Sequence, residues 1–221
     1  MNCTKCNNTG WIFYTDQNGY ECARECTCVK QRQSLARLER SGLSGLLDKY
    51  TFDRYKADYG FQKELLNKAK NYLNEKDKWF VVFGQSGSGK SMICTAICGE
   101  LLKKHEVRFM SWLTESVKLK QNVNNAEIYE PLMEDYKNCE ILYIDDFFKN
   151  EQLSSADLRI ANEIINYRCV ANKRTIISSE RLVKDLIEID QAIIGRIIEM
   201  SEEYVTEICG AEKNYRLRNW L

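Results

Sequence analysis

The sequence Gly84-Gln85-Ser86-Gly87-Ser88-Gly89-Lys90-Ser91 follows an apolar run at residues 79–83 and precedes a helical pattern at residues 92–104. It matches the phosphate-binding pattern G-x-x-x-x-G-K-[ST] in full. The glycines allow backbone angles that turn consecutive N–H groups toward an anion. Lys90 adds a positive charge for the outer phosphates, and Ser91 offers a hydroxyl to Mg²⁺. The stretch therefore predicts an ATP site between a strand and the N-terminus of a helix.

A second acidic stretch fits the same chemistry. Residues 141–146 read Ile-Leu-Tyr-Ile-Asp-Asp, the pattern of a buried parallel strand that ends in two carboxylates. At that position Asp145 is expected to hold Mg²⁺ through its water shell. Asp146 is expected to polarise the water that attacks the terminal phosphate. The alternative is a strand ending in solvated acids, which the upstream phosphate loop disfavours.

Two further features complete the predicted catalytic set. Residues 174–179 read as another strand, and its terminal Ser178 and Ser179 are both candidates to hydrogen-bond the attacking water or the terminal phosphate. Arg196 lies in a strongly apolar helix, where a guanidinium needs an anion. The terminal phosphate on a neighbouring subunit would serve. The alternative partner for Arg196 is a glutamate of its own chain, such as Glu199.

Five of the ten cysteines fall within the first 28 residues. Cys3-x-x-Cys6 presents two thiolates to one tetrahedral ion, and Cys26-x-Cys28 supplies a second pair. The residues between the pairs read as a β-hairpin with a turn at residues 16–19. A segment this short cannot bury a core, so zinc would provide its folding energy. We expect a closed structural Cys₄ site, with Cys22 as the spare thiol.

Composition limits the class of protein. The chain has 221 residues, with 32 basic and 32 acidic side chains, so no overall charge draws it to nucleic acid or to membranes. It lacks an apolar run of membrane-spanning length and a secretory pattern at its N-terminus. We therefore expect a cytoplasmic protein that contacts no membrane.

The pattern predicts an α/β fold with a parallel sheet and flanking helices. We expect a zinc knuckle at residues 1–29, a linker helix at 30–45 and an ATPase core at 46–221, with the boundary near Ser41-Gly42. Phe52 and Tyr55 are equally suited to flank the adenine ring or to anchor the core. Residues 213–218 read as a final strand, from which Arg216 or Arg218 would reach nucleotide. The remaining length leaves no room for a full C-terminal helical lid.

These parts in this order resemble the phage and bacterial replicative-helicase loaders of the DnaC/DnaI type, within the AAA+ ATPases of the ASCE class. The resemblance rests on the cysteine knuckle with Thr9-Gly10-Trp11, the loop GQSGSGKS, the strand ILYIDDFFK, the strand TIISSE and the segment GRIIEM. It implies that ATP lies between side-by-side subunits and that Arg196 acts in trans. It also implies that the cysteine region grips a hexameric helicase and that the core engages single-stranded DNA.

Two departures from that family pattern stand out. Glu180 stands where relatives commonly carry asparagine, so nucleotide sensing near this turn is expected to differ. Asp146 stands where many AAA+ proteins carry glutamate, which is longer by one methylene. We therefore expect slow hydrolysis that depends on DNA or a partner.

Three other functions fit parts of the sequence. A transposition helper ATPase of the IstB group shares the same core, although the zinc knuckle favours the loader. A small P-loop kinase would need an arginine-bearing lid and a substrate pocket. A nucleotide-bound adaptor would bind ATP without hydrolysing it.

Overall fold

Short strands form two sheets in the computed structural model, which describes residues 2–40, 43–150, 152–210 and 213–215. The strands are β1 Trp11–Thr15, β2 Glu21–Glu25, β3 Phe80–Gly84, β4 Val107–Ser111, β5 Ile141–Asp145, β6 Thr175–Ser179 and β7 Val205–Ile208. The helices are α1 Thr27–Arg40, α2 Ser44–Leu47, α3 Gly60–Tyr72, α4 Lys90–Leu101, α5 Trp112–Gln121, α6 Ala126–Asn138, α7 Ser155–Val170, α8 Val183–Ile189 and α9 Gln191–Ser201. Short 3₁₀ turns occupy Phe52–Arg54 and Glu202–Tyr204.

The larger sheet has five strands in the order β4-β5-β6-β3-β7, and every neighbouring pair is parallel. All five residues of β3 are buried, as expected for a strand covered on both faces. Because the strands run in one direction, the ends of β5, β6 and β3 lie side by side at one edge of the sheet. The predicted α/β fold with a parallel sheet is confirmed.

Alternate residues of β3 face two different cores. Val81 and Phe83 pack in a cluster with side chains of α6, α7 and α9. Phe80 and Val82 pack in a second cluster with side chains of α3 and α4. This two-residue period places one helical layer on each face of the sheet. The layers hold β3 rigidly, and β3 carries the phosphate loop at its end.

The last described strand differs from the expected one. Residues 205–208 form β7 and pair with β3, whereas residues 213–215 follow as a loop. The β7 sequence Val-Thr-Glu-Ile has the β-branched side chains that suit a pleated sheet, and Ile208 is buried. The backbone of Tyr215 is instead engaged by the phosphate loop. Ser41, Gly42, Arg216 and Arg218 lie outside the described residues.

None of the described helices is both long enough and apolar enough to cross a membrane. This agrees with the absence of a membrane-length apolar run in the sequence.

A buried arginine joins α6, α7 and β6. Arg168 on α7 is fully buried, and its Nη1 donates to three carbonyl oxygens at the end of α6, each at 3.0 Å. These acceptors belong to Tyr136, Lys137 and Cys139. The Nε atom also donates to Thr175 Oγ1 on β6 at 2.9 Å. Arg168 thereby satisfies carbonyls that the end of a helix leaves unpaired.

We predict that Arg168→Ala lowers the free energy of unfolding by about 3 kcal/mol or more, because several buried carbonyls lose their donor at once. Urea denaturation followed by circular dichroism measures this change. The matched control is Arg159→Ala, an exposed arginine on the same helix, which should change stability by about 0.5 kcal/mol or less. Equal unfolding midpoints for the two variants would contradict this role of Arg168.

Candidate functional site: a phosphate loop and a separate cysteine cluster

The phosphate loop lies between the end of β3 and the first residue of α4. Gly84, Gly87 and Gly89 have positive φ angles of 127°, 77° and 90°, which other residues rarely adopt. A Cβ atom added to Gly84 would lie 2.0 Å from the carbonyl oxygen of Ile208 on the neighbouring β7. The loop therefore requires glycine for its backbone shape and, at Gly84, also for close packing.

Lys90 lies inside this loop. Its side chain is buried, with 5% of the residue exposed, and Nζ donates to the carbonyl oxygen of Gln85 at 2.7 Å. Burial lowers the pKa of the ammonium group, while the nearby carboxylates of Glu180 and Asp146 oppose that change. The predicted phosphate-binding lysine thus hydrogen-bonds a carbonyl of its own loop. A bound phosphate would compete with that carbonyl for the ammonium group.

The hydroxyl and carboxylate predicted to hold Mg²⁺ are in direct contact. Ser91 Oγ, in the first turn of α4, donates to Asp145 Oδ1 at the end of β5, over a distance of 3.1 Å. The same oxygen accepts from the hydroxyl of Tyr143 at 2.7 Å and from the hydroxyl of Ser178. A hydroxyl beside a carboxylate is the ligand set that Mg²⁺ prefers. These residues therefore fit a magnesium ion that keeps most of its water.

Asp146 turns away from the strand directly after Asp145. Its φ is 56°, and its backbone N–H donates to Ser178 Oγ at 3.3 Å. Its carboxylate forms an ion pair with Lys149, with Oδ2 at 3.0 Å from Nζ. Burial raises the pKa of Asp146, while Lys149 acts in the opposite direction. The predicted base is thus at the site and already has a cation as partner.

The two candidate serines of β6 face different groups. Ser178 contacts Asp145 and the backbone of Asp146. Ser179 Oγ instead donates to the carbonyl oxygen of Phe147 at 2.7 Å. Ser178 is therefore the hydroxyl that reaches the acidic residues, and Ser179 supports the turn that follows them.

A cavity of about 360 Å³ opens next to the phosphate loop. Tyr55 is a buried member of the core cluster of α3 and α4, Phe52 packs against that cluster, and Tyr55 also lines this cavity. The sequence left these two aromatics undecided between the adenine ring and the core, and the structure places both at the core, with Tyr55 also at the cavity. The full lining is Tyr50, Arg54, Tyr55, Lys56, Gln62, Ser86, Gly87, Ser88, Gly89, Lys90, Ser91, Met92, Asp146, Glu180 and Tyr215.

Several of these lining residues were missed from the sequence. Gln62 on α3 and the backbone-bound Tyr215 come from parts of the chain far from the loop, and no local motif marks them. Glu180 was noted only as a departure from the family pattern. It lines the cavity together with Ser86 of the phosphate loop.

Arg196 on α9 lies outside the residues that line this cavity. Its Nη1 donates to the carbonyl oxygen of Ala192 at 3.0 Å, one helical turn earlier. Within the described part of the chain, its guanidinium forms no ion pair with Glu199 or any other carboxylate. The intramolecular alternative is therefore absent from this arrangement, and Arg196 has no contact with its own phosphate loop.

Four cysteines meet at the base of the β1–β2 hairpin. The Sγ atoms of Cys3, Cys6, Cys26 and Cys28 all lie within 4.8 Å of one another. The Cys3–Cys26 and Cys6–Cys28 sulfur pairs are 3.7 Å and 3.5 Å apart. Cys22 lies on β2 outside this cluster. The structure thus brings together the four cysteines that the spacing predicts to be ligands and leaves Cys22 apart from them.

The cluster fits a zinc ion. Thiolates at about 2.3 Å from a tetrahedral Zn²⁺ lie about 3.8 Å from one another, whereas disulfide sulfurs are about 2.0 Å apart. The tight Cys26-x-Cys28 spacing works because Cys26 precedes α1 and Cys28 lies in its first turn. Arg32, one turn further along α1, donates to Cys28 Sγ at 3.4 Å. A guanidinium there would offset the negative charge of a thiolate set.

We predict about one zinc per chain by metal analysis of the purified protein, since a structural Cys₄ site holds one ion. Cys26→Ser should lose that zinc and the folded hairpin with it, because metal binding supplies the folding energy. Cys22→Ser is the matched control, a cysteine on β2 outside the cluster, and should keep the full metal content. Equal zinc in both variants would contradict the ligand assignment.

Three related sequences cover much of the chain. The uncharacterized protein YqaM of Bacillus subtilis is 29% identical over 215 residues, which are 90% of this chain and 68% of YqaM. The phage-like element PBSX protein XkdC of the same organism is 27% identical over 97% of this chain and 86% of XkdC. The replicative helicase loader DnaC of Escherichia coli is 26% identical over 69% of this chain and 62% of DnaC.

Solved structures share the fold. The DnaC helicase loader matches with a TM-score of 0.65 at 22% identity, over 73% of this chain and 97% of that one. The replication initiator DnaA bound to AMPPCP and single-stranded DNA matches with a TM-score of 0.62 at 19% identity, over 78% of this chain and 55% of that one. The chain thus shares the fold of these proteins, and the expected resemblance to DnaC/DnaI-type proteins is confirmed.

One family model matches most of the chain. The model for Novel STAND NTPase 3 matches residues 61–204, well over half of the chain. That range contains the phosphate loop, Asp145, Ser178 and Arg196. The chain therefore belongs to the Novel STAND NTPase 3 family of nucleoside triphosphatases.

Proposed function

We propose that this chain is an ATP-dependent loader that binds a ring-shaped replicative helicase and delivers it to single-stranded DNA. The observation that carries the proposal is the combination of two sites in one chain. A P-loop ATPase site of the DnaC type lies in the core, and a separate Cys₄ hairpin precedes it. In this proposal, residues 1–29 dock the helicase, residues 30–45 connect the two parts, and residues 46–221 bind ATP and DNA.

The site residues support ATP hydrolysis. Lys90 and the loop N–H groups would bind the outer phosphates, and Ser91 with Asp145 would hold the magnesium that neutralises them. Asp146 would accept a proton from a water molecule as the oxygen of that water attacks the terminal phosphorus. The bond to the bridging oxygen then breaks, which yields ADP, phosphate and a proton. Ser178 keeps Asp145 and the Asp146 backbone in place.

The hairpin supports a protein partner. Trp11 and Phe13 project from one face of β1 and are 51% and 75% exposed. Their partners across the hairpin are Glu25 and Ala23. Large exposed aromatics are the side chains that anchor protein interfaces, and the carboxylate of Glu25 disfavours contact with a phosphate backbone. The hairpin therefore suits a helicase surface better than DNA.

We predict that the full-length chain captures the ring helicase of its own host, and that Phe13→Ser weakens this capture at least about tenfold by removing an interface anchor. Val170→Ser is the control, since Val170 on α7 is apolar and 77% exposed but lies outside the hairpin. Biolayer interferometry with immobilised helicase measures both variants. Capture that is equally strong for both would contradict docking through the hairpin.

ATP turnover that single-stranded DNA stimulates without capture of a helicase would favour the transposition helper instead. Transfer of phosphate to a small molecule would favour a kinase. Nucleotide binding without turnover under any condition would favour an adaptor.

Arg196 is proposed to complete the active site of a neighbouring subunit in a self-assembled oligomer. This role is supported by its place on α9 outside its own cavity and without a carboxylate partner among the described residues. An arginine supplied in trans stabilises charge on the transferring phosphoryl group.

We predict that Arg196→Ala binds ATP normally but does not hydrolyse it, since only the transition state uses the guanidinium. Mixing it with Asp145→Asn should restore part of the turnover. In mixed interfaces, the intact acidic site of the first variant meets the intact arginine of the second. Phosphate release measured across mixing ratios tests this, and the absence of rescue at every ratio would contradict a role in trans.

A further inference from the structure

One lysine lies between two carboxylates at the edge of the nucleotide cavity. Lys149 Nζ is 3.0 Å from Asp146 Oδ2 and 3.2 Å from Glu180 Oε2. Both carboxylates line the cavity beside the phosphate loop. Lys149, the last residue of the ILYIDDFFK segment, therefore bridges two acidic groups that belong to the site.

The bridge lies next to the phosphate loop. Glu180 lines the same cavity as Ser86, the third residue of the loop. Glu180, Lys149 and Asp146 form a continuous line of contacts. The line runs along the edge of this cavity to the carboxylate that would activate water.

The turn that carries Lys149 has a specific backbone shape. Asp146 and Phe148 have φ angles of 56° and 57°, and the N–H of Lys149 donates to the carbonyl oxygen of Asp146 at 3.0 Å. Arg181 Nε donates to the carbonyl oxygen of Phe148 at 2.6 Å. Positive φ at two non-glycine residues costs energy and persists only where surrounding contacts hold it. The turn therefore fixes the backbone position from which the Lys149 side chain extends.

The ion pair has a consequence for the orientation of Asp146. Lys149 engages Oδ2, and within the described part of the chain no residue donates to the other oxygen, Oδ1. One carboxylate oxygen is thereby anchored while the other stays available to a water molecule. Asp145 and Glu180 add negative charge nearby, so an unanchored Asp146 would turn away from them.

We propose that Lys149 is a positioning residue for ATP hydrolysis, which orients Asp146 toward the attacking water and is itself held by Glu180. This inference rests on the proposed ATPase function. It assigns a role to Lys149 and Glu180, which both lie outside the phosphate loop. Glu180 is the residue at which the sequence departs from the family pattern. Lys149 acts through Asp146 and has no assigned contact with the substrate.

The test separates binding from chemistry. Single-turnover hydrolysis is measured with full-length protein in excess over radiolabelled ATP, and affinity is measured separately with a fluorescent non-hydrolysable ATP analogue. Lys149→Met keeps the length of the side chain and removes its charge. It should lower the hydrolysis rate about tenfold or more, because misplacing a catalytic group is costly. Its affinity for the analogue should stay within about twofold.

Two further variants distinguish positioning from a general loss of structure. Lys149→Arg preserves the cation and should recover most of the rate. Lys149→Met should cost much less in a Glu180→Gln background than in the wild-type protein, since coupled residues are not additive. Lys70→Met, at an exposed lysine on α3, is the matched control and should leave the rate unchanged.

Several results would overturn the inference. These are a Lys149→Met rate within about twofold of wild type, a higher rate, or a loss confined to affinity. Full additivity with Glu180→Gln would contradict the coupling to Glu180. Absence of hydrolysis by the wild-type protein itself would refute the ATPase function and this role together, whereas an active wild type with an active Lys149→Met would refute only the role of Lys149.

Discussion

The site depends on one carboxylate oxygen that is shared among three neighbouring strand ends. Asp145 Oδ1 at the end of β5 accepts from Ser178 on β6 and from Ser91, just after the loop that follows β3. This sharing is possible because the parallel order β5-β6-β3 brings three carboxyl ends to one edge. Cores on both faces of the sheet keep those ends in register. The chemistry proposed for the phosphate loop therefore follows from the strand order.

The N-terminal hairpin has a different physical basis. Its β1 and β2 residues are mostly exposed, and among the described residues its one buried cluster consists of cysteines with Ile12 and Val29 packed against them. A segment of this size cannot fold on apolar burial alone. Metal ligation would free the outer face of the hairpin to present Trp11 and Phe13. The chain thus combines a core stabilised by packing with a hairpin whose buried cluster is built from cysteines.

The sequence predicted well wherever function depends on neighbours in the chain. The phosphate loop, the strand ending at Asp145 and the Cys3, Cys6, Cys26 and Cys28 set all follow from local spacing, and the structure brings each set together. It could not choose between Ser178 and Ser179, because that choice depends on which of the two side chains faces Asp145 and which faces the Phe147 carbonyl.

Contacts between distant segments lay beyond the reach of sequence patterns. Tyr215 reaches the phosphate loop through a backbone hydrogen bond to Gly87, and any residue except proline could donate that bond. The Lys149–Glu180 pair joins two turns that are separated by a helix and a strand. Residues 213–215 were expected to be part of a final strand. In the structure, residues 205–208 form β7 and occupy the position beside β3.

The most direct measurement is the rate of ATP hydrolysis by the full-length protein alone, with single-stranded DNA, and with DNA plus the ring helicase of the same host. The account predicts slow turnover alone and clear stimulation when both are present, with no turnover by Lys90→Ala under any condition. Turnover that neither DNA nor helicase changes would contradict the loader, and turnover by Lys90→Ala would contradict the phosphate-loop assignment itself.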